Sequence, residues 1–216
     1  MANSPLVTLA DPRSPVAEAF RTLRTNLIFS SLDHPLTTLL VTSATPEDEK
    51  SLTLANLAVT MAQGGRRTIL VDCDLRRPRQ AEIFGVAAQP GLTELILGGG
   101  DQPPLAATGV EGLQLLPAGA LPPNPADLLS SRRMEAAIAT LKAQADVVLF
   151  DAPPVLAVTD AALLASKLDG VLLVVTAGQT RREHAQRVKD LLEKIHVRIV
   201  GTVLTNVTAD RSVSTY

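Results

Sequence analysis

Five short apolar runs, at 38–43, 68–71, 147–150, 171–175 and 199–204, are separated by longer stretches with helical spacing. The first, Thr38–Ser43, is short, β-branched and nearly continuous in apolar residues, which is the pattern of a strand buried on both faces. The intervening stretches 14–30, 50–63, 126–144, 160–167 and 181–195 read as helices. In the first of these, Val16, Phe20, Leu23 and Leu27 recur at intervals of four, three and four, and Ser14-Pro15 supplies an N-cap and a first-turn proline. Strands alternating with helices predict an α/β fold, a doubly wound and mostly parallel sheet flanked by helices. Ligands of such sheets bind beyond the carboxyl ends of the strands. The region 85–125 is broken by Gly98-Gly99-Gly100, Pro103-Pro104 and Pro122-Pro123, and reads as loops around short elements.

The 216 residues suit one domain over 1–216 with a flexible polar tail at 208–216. A net charge of −2, 2% aromatic residues and no tryptophan argue against nucleic acid as a partner. The opening MANSPLVTLADPRS has no charged segment followed by an apolar core, and no apolar run approaches the ~20 residues that span a bilayer, so the expected location is the cytoplasm. The lone Cys73 fits a reducing compartment and reads as a buried filler. His34, His184 and His196 lack metal-ligand spacing, and Arg76-Arg77 reads most simply as a solvated pair.

The chemistry is concentrated where runs end. The run at 38–43 leads through Ala44-Thr45-Pro46-Glu47-Asp48-Glu49-Lys50-Ser51 into a helix. A strand, a loop ending in Lys-Ser and a helix form the setting of a phosphate-binding loop. There Lys50 would reach the β/γ-phosphates and the Ser51 hydroxyl would ligate Mg2+. Alone, a Lys-Ser pair is more often a solvated lysine at a helix start. Asp72 and Asp74 follow the second run, however, and Asp151 follows the third; carboxylates at strand carboxyl ends point toward the place where such a loop lies.

The segments Glu18-Ala19-Phe20-Arg21-Thr22-Leu23-Arg24, Pro46 with Lys50-Ser51, Asp72-Cys73-Asp74-Leu75-Arg76-Arg77-Pro78, Pro122-Pro123-Asn124-Pro125-Ala126-Asp127-Leu128-Leu129 and Asp151-Ala152-Pro153-Pro154 together resemble the bacterial tyrosine kinases of capsule and exopolysaccharide synthesis. The likeness runs in the same order over about 14–207. It implies a P-loop NTPase fold close to the MinD/ParA ATPases, ATP and Mg2+ as cofactors, and a tyrosine autokinase regulating polysaccharide export. It further implies a nucleotide loop of Thr45, Pro46, Glu47, Asp48, Glu49, Lys50, Ser51 and Leu52, and Mg2+ held by Ser51, Asp74 and Asp151. Asp72 would take the tyrosine proton. By the same resemblance Asn206 touches adenine, and Glu18, Arg21 and Arg24 join subunits into a homo-oligomeric ring. Tyr216, the only tyrosine, becomes the phosphorylation site. A separate membrane-embedded co-polymerase would activate the kinase at the inner face of the plasma membrane.

The chain departs from that family where relatives read Pro-Gly-Glu-Gly-Lys. Glu47 and Glu49 stand at the two glycine positions, with Asp48 between them. A Cβ obstructs the close approach and positive φ that glycine permits, and three carboxylates oppose a polyphosphate. A scaffold of the same family that has lost ATP binding is therefore a second expectation; a ParA/MinD-like positioning ATPase is a third.

Overall fold

The computed structural model describes residues 6–46, 48–98 and 102–207. The expectations for Glu47, for the 208–216 tail and for Tyr216 lie outside the described residues. Seven strands form one sheet in the order β3-β4-β2-β5-β1-β6-β7, parallel throughout except for the antiparallel β3–β4 pair. They are β1 (Thr38–Ser43), β2 (Thr68–Asp72), β3 (Ala106–Ala107), β4 (Leu113–Leu116), β5 (Val147–Asp151), β6 (Gly170–Thr176) and β7 (Ile199–Thr205). The main helices are α2 (Pro15–Ser30), α3 (Lys50–Gln63), α7 (Arg132–Gln144) and α9 (Arg182–Lys194). Shorter ones are α1 (Val7–Ala10), α4 (Gln80–Phe84), α5 (Leu92–Gly98), α6 (Pro125–Ser130) and α8 (Asp160–Ala165).

The unbroken apolar runs follow from burial on both sheet faces. Alternate side chains of a strand point to opposite faces. Leu39, Val41, Leu70 and Leu149 accordingly enter the core under α3, and Leu40, Ile69, Val71, Val148 and Phe150 enter the core of the other face, with Met134, Leu164 and Val188. Helix α3 is buried from Ser51 to Ala62 except for half-buried Leu52, because the sheet lies on one side and α1, α2 and α4 pack on the other.

The expected mostly parallel sheet is present, and the differences have local causes. The expected helix 126–144 is two helices, divided at Ser131, whose extended backbone and Oγ accepting the Met134 N–H make it the N-cap of α7. The apolar face of α2 is rotated from the expected one: Ala17 and Leu27 are buried, Leu23 packs on the core, and Val16 is 54% exposed. A position three residues on is turned by about 300° around a helix, so Glu18, Arg21 and Arg24 spread over a sector of about 120°. Arg21 pairs with Glu18 at 2.6 Å. Arg24 turns inward, its Nη1 donating to Thr60 O at 2.8 Å and tying α2 to α3.

Candidate functional site

β1, β5 and β2 are neighbours, in a register that sets Asp72 opposite Asp151. Their carboxyl ends therefore deliver the loop before α3 and the strand-end aspartates to one place. Lys50 Nζ lies 3.0 Å from Asp74 Oδ2, 3.0 Å from Asp151 Oδ1 and 3.2 Å from Ser51 Oγ. Burial alone would push the Lys50 ammonium toward deprotonation; Asp151 and Asp74 outweigh it and hold its pKa above the usual lysine value. Two carboxylates and one hydroxyl thus converge on a single cation.

In front of this cluster opens a cavity of about 640 Å³, within the range of small-molecule sites. Its wall includes Pro46, Asp48, Glu49, Lys50, Ser51, Leu52 and Asp74, together with Arg76, Arg77 and Arg79. Thr45, Asp72, Asp151 and Asn206 do not line it. Asn206, at the end of β7, instead donates to Ala177 O at 3.2 Å.

Asp72 lies deeper. Its Oδ2 accepts the N–H groups of Arg79 and Gln80 at 3.0 and 2.9 Å, and its Oδ1 accepts that of Asp74 at 3.2 Å. Burial, followed by the neighbouring Asp151 charge, pushes its carboxyl up to about 8, against the lowering effect of the Gln80 N–H and Lys50. A carboxyl whose folded pKa is raised contributes stability that is complete below its unfolded value near 3.8 and is lost as pH rises through about 8. Unfolding by urea, without nucleotide, is expected to show stability falling between pH 5 and 8. Asp72→Asn should flatten that slope, and an unchanged slope in the variant would sink the assignment.

The expectation that three carboxylates confront a polyphosphate is corrected at Asp48. Its side chain turns into the protein: Oδ2 accepts Thr45 N–H at 3.0 Å, while Oδ1 accepts Thr176 N–H at 3.2 Å and the Thr180 hydroxyl. It fastens the loop to the β6–α9 connection. Glu49 is exposed, with φ −77°, so its backbone does not occupy the left-handed region for which glycine is needed. The loop turns amides inward, since Asp48 N–H donates to Thr45 O at 3.3 Å and Lys50 N–H to Asp48 O at 2.8 Å. Arg76 is exposed, as expected of a solvated residue, but it is not unpaired. It makes a two-point pair with buried Asp160 at 2.8 and 3.0 Å, joining the Asp74 loop to the start of α8.

Mg2+ fits the donor set. Ser51 Oγ, Asp74 Oδ2 and Asp151 Oδ1 are all oxygens, which suit a hard cation, and the Lys50 ammonium already stands among them. Among the described residues the histidine, cysteine and acidic side chains do not form a closed three-ligand group by themselves.

Residues 37–211 match the ParA family, described as the NUBPL iron-transfer P-loop NTPases. The tyrosine-protein kinase YwqD of Bacillus subtilis is 38% identical over 92% of this chain and 84% of its own length. The putative tyrosine-protein kinase CapB of Staphylococcus aureus is 35% identical over 99% of this chain and 94% of its own. Among solved structures, the kinase domain of the Escherichia coli tyrosine kinase ETK superposes with a TM-score of 0.88 at 29% identity, over 100% of this chain and 86% of that one. MinD from Pyrococcus horikoshii, at 24% identity and a TM-score of 0.65 over 77% and 69%, shares the fold. The fold and the kinase relatives together imply nucleotide binding, commonly with Mg2+. A lysine and serine at a helix start gathered with strand-end aspartates, with whole-length likeness to such relatives, places the chain among the bacterial tyrosine-protein kinases built on the ParA/MinD-like P-loop NTPase fold.

Proposed function

We propose that this chain is an ATP-dependent protein-tyrosine autokinase that regulates capsular or exopolysaccharide synthesis and export. The observation that carries the reading is the Lys50 ammonium 3.0 Å from both Asp74 and Asp151, beside Ser51, at the carboxyl ends of adjacent strands. Ser51, Asp74 and Asp151 would hold Mg2+, which when bound neutralises charge developing on the transferred phosphoryl group. Lys50 would then exchange its carboxylate partners for the β/γ-phosphates. The segment from Thr45 to Leu52 would hold the phosphates, and Asn206, which lies outside the cavity wall, would border the adenine. The tyrosine oxygen bonds to the γ-phosphorus as the bond to the departing ADP breaks, and the phenolic proton passes to Asp72. Its raised pKa keeps the Asp72 carboxyl largely protonated near neutral pH, so the transfer would need the carboxylate form, which the positive charge of bound Mg2+ would favour.

Tyr216 is the proposed acceptor, supplied by a neighbouring subunit of a ring that uses the α2 charges Glu18, Arg21 and Arg24. Of these, Glu18 has the most exposed side chain and is the most available to a neighbour. A separate membrane-embedded co-polymerase is the proposed activator and brings the kinase to the inner face of the plasma membrane. No described helix is long and apolar enough to cross a membrane.

Calorimetric titration with Mg·ATP, followed by phosphotyrosine detection, tests the reading. Micromolar binding with label incorporated at Tyr216, and lost in Tyr216→Phe, is the expected result. No binding up to millimolar nucleotide would leave a scaffold of the same family instead.

A further inference from the structure

Gln80 takes no part in the roles assigned above, yet it sits at their centre. Its side chain is 0% exposed at the start of α4. Nε2 donates to Asp151 Oδ2 at 2.7 Å and to Ser51 O at 3.0 Å. Both partners are acceptors, so only one orientation of the amide satisfies them; the reverse would press Oε1 against a carboxylate and a carbonyl. In the orientation that remains, Oε1 is buried and has no partner among the described residues. A buried acceptor without a donor costs free energy that an apolar side chain of similar shape would avoid. Packing therefore does not account for a glutamine here, and what it supplies is the two-point bridge.

That bridge joins the end of β5 to the first turn of α3. Asp151 divides its oxygens, Oδ1 to Lys50 and Oδ2 to Gln80. The Gln80 main-chain N–H is itself held by Asp72 Oδ2, so the facing pair Asp72 and Asp151 both bear on this one residue. We infer that Gln80 is a positioning residue of the phosphoryl-transfer site: its amide locks the Asp151 carboxylate and the Ser51 turn in register so that Asp151 Oδ1 and Ser51 Oγ face the same cation. The inference rests on the Mg·nucleotide reading of the site and names a residue whose work is done through those two ligands. Groups that orient metal-binding side chains commonly change metal affinity or activity by roughly 10- to 100-fold when removed.

The test is ADP binding by calorimetry on the full chain, with Mg2+ and with EDTA, for the wild type, Gln80→Met, Gln80→Leu and Gln80→His. Methionine and leucine remove the donor without adding charge, methionine at similar length, and histidine keeps an N–H donor at similar reach. In Gln80→Met the tightening produced by Mg2+ is expected to shrink roughly 10- to 100-fold while metal-free affinity stays near wild type. Gln80→Leu should behave alike and carries the test if the methionine variant does not fold; Gln80→His should retain most of the Mg2+ effect. Equal loss with and without Mg2+ would mean a structural role only, and full retention of the Mg2+ effect would mean no role; either overturns the inference. A wild-type chain that binds no ADP under either condition would instead overturn the nucleotide reading on which the inference stands.

Discussion

Lys50→Met is expected to abolish tyrosine autophosphorylation and, independently, to lower the midpoint of thermal unfolding by roughly 6–20 °C. The second effect follows from burial. Asp74 and Asp151 have side chains no more than 7% exposed, and the Lys50 ammonium contacts both at 3.0 Å. Removing one member of a buried ion group leaves uncompensated charge, at a cost of about 3–5 kcal/mol. In a domain of this size each kcal/mol moves the midpoint by roughly 2–4 °C. Millimolar Mg2+ should restore part of the lost stability, because Ser51, Asp74 and Asp151 present oxygens to the vacated position. Calorimetry with and without Mg2+ measures both effects. An unchanged midpoint in the variant would mean that the Lys50 contacts contribute nothing in solution.

Restoring glycine at Glu47 and Glu49 together is expected to tighten Mg·ATP binding by roughly 100-fold, the largest gain we anticipate from any substitution. Like charges ~5 Å apart repel by roughly 3 kcal/mol at an effective dielectric of ~20, before screening. Exposure of Glu49 reduces that considerably, so about tenfold per charge is the working magnitude. A second contribution comes from the backbone. The loop now spends the Asp48 and Lys50 amides on its own carbonyls, and glycine would let it open into a conformation whose N–H groups face a phosphate. Glu49→Gln separates the two, because it removes charge and keeps the Cβ. If Gln and Gly at position 49 give the same affinity, charge alone is responsible; if the double glycine variant gains nothing, the obstacle lies elsewhere in the site.

The positions of β1, β2, β5 and β6 were readable because burial on both sheet faces demands continuous aliphatic runs; β7, at the sheet edge and with none of its residues fully buried, still carries an apolar run, and the observed bounds of all five agree with the runs to within a residue or two. Lys50, Ser51, Asp72, Asp74 and Asp151 were likewise readable, since each stands at or beside the boundary of a strand or helix. The break at Ser131 was not, because apolar spacing continues through it and only the extended conformation of that serine reveals a cap. The strand at Leu113–Leu116 was hidden among glycines and prolines that signal loops. Gln80 was hidden for a different reason: a buried amide that bridges residues 29 and 71 positions away leaves no local periodicity.

The amino-acid order by itself determined which segments become strands and helices, and which charged groups stand at their ends, because hydrophobic period and turn chemistry act over a few neighbouring residues. Only the tertiary structure decided the strand order that sets β1 between β5 and β6, the inward turn of Asp48 and Arg24, and the convergence of Lys50, Ser51 and Gln80 on Asp151. Those contacts join residues far apart in the chain, and their geometry exists only once both sheet faces have packed.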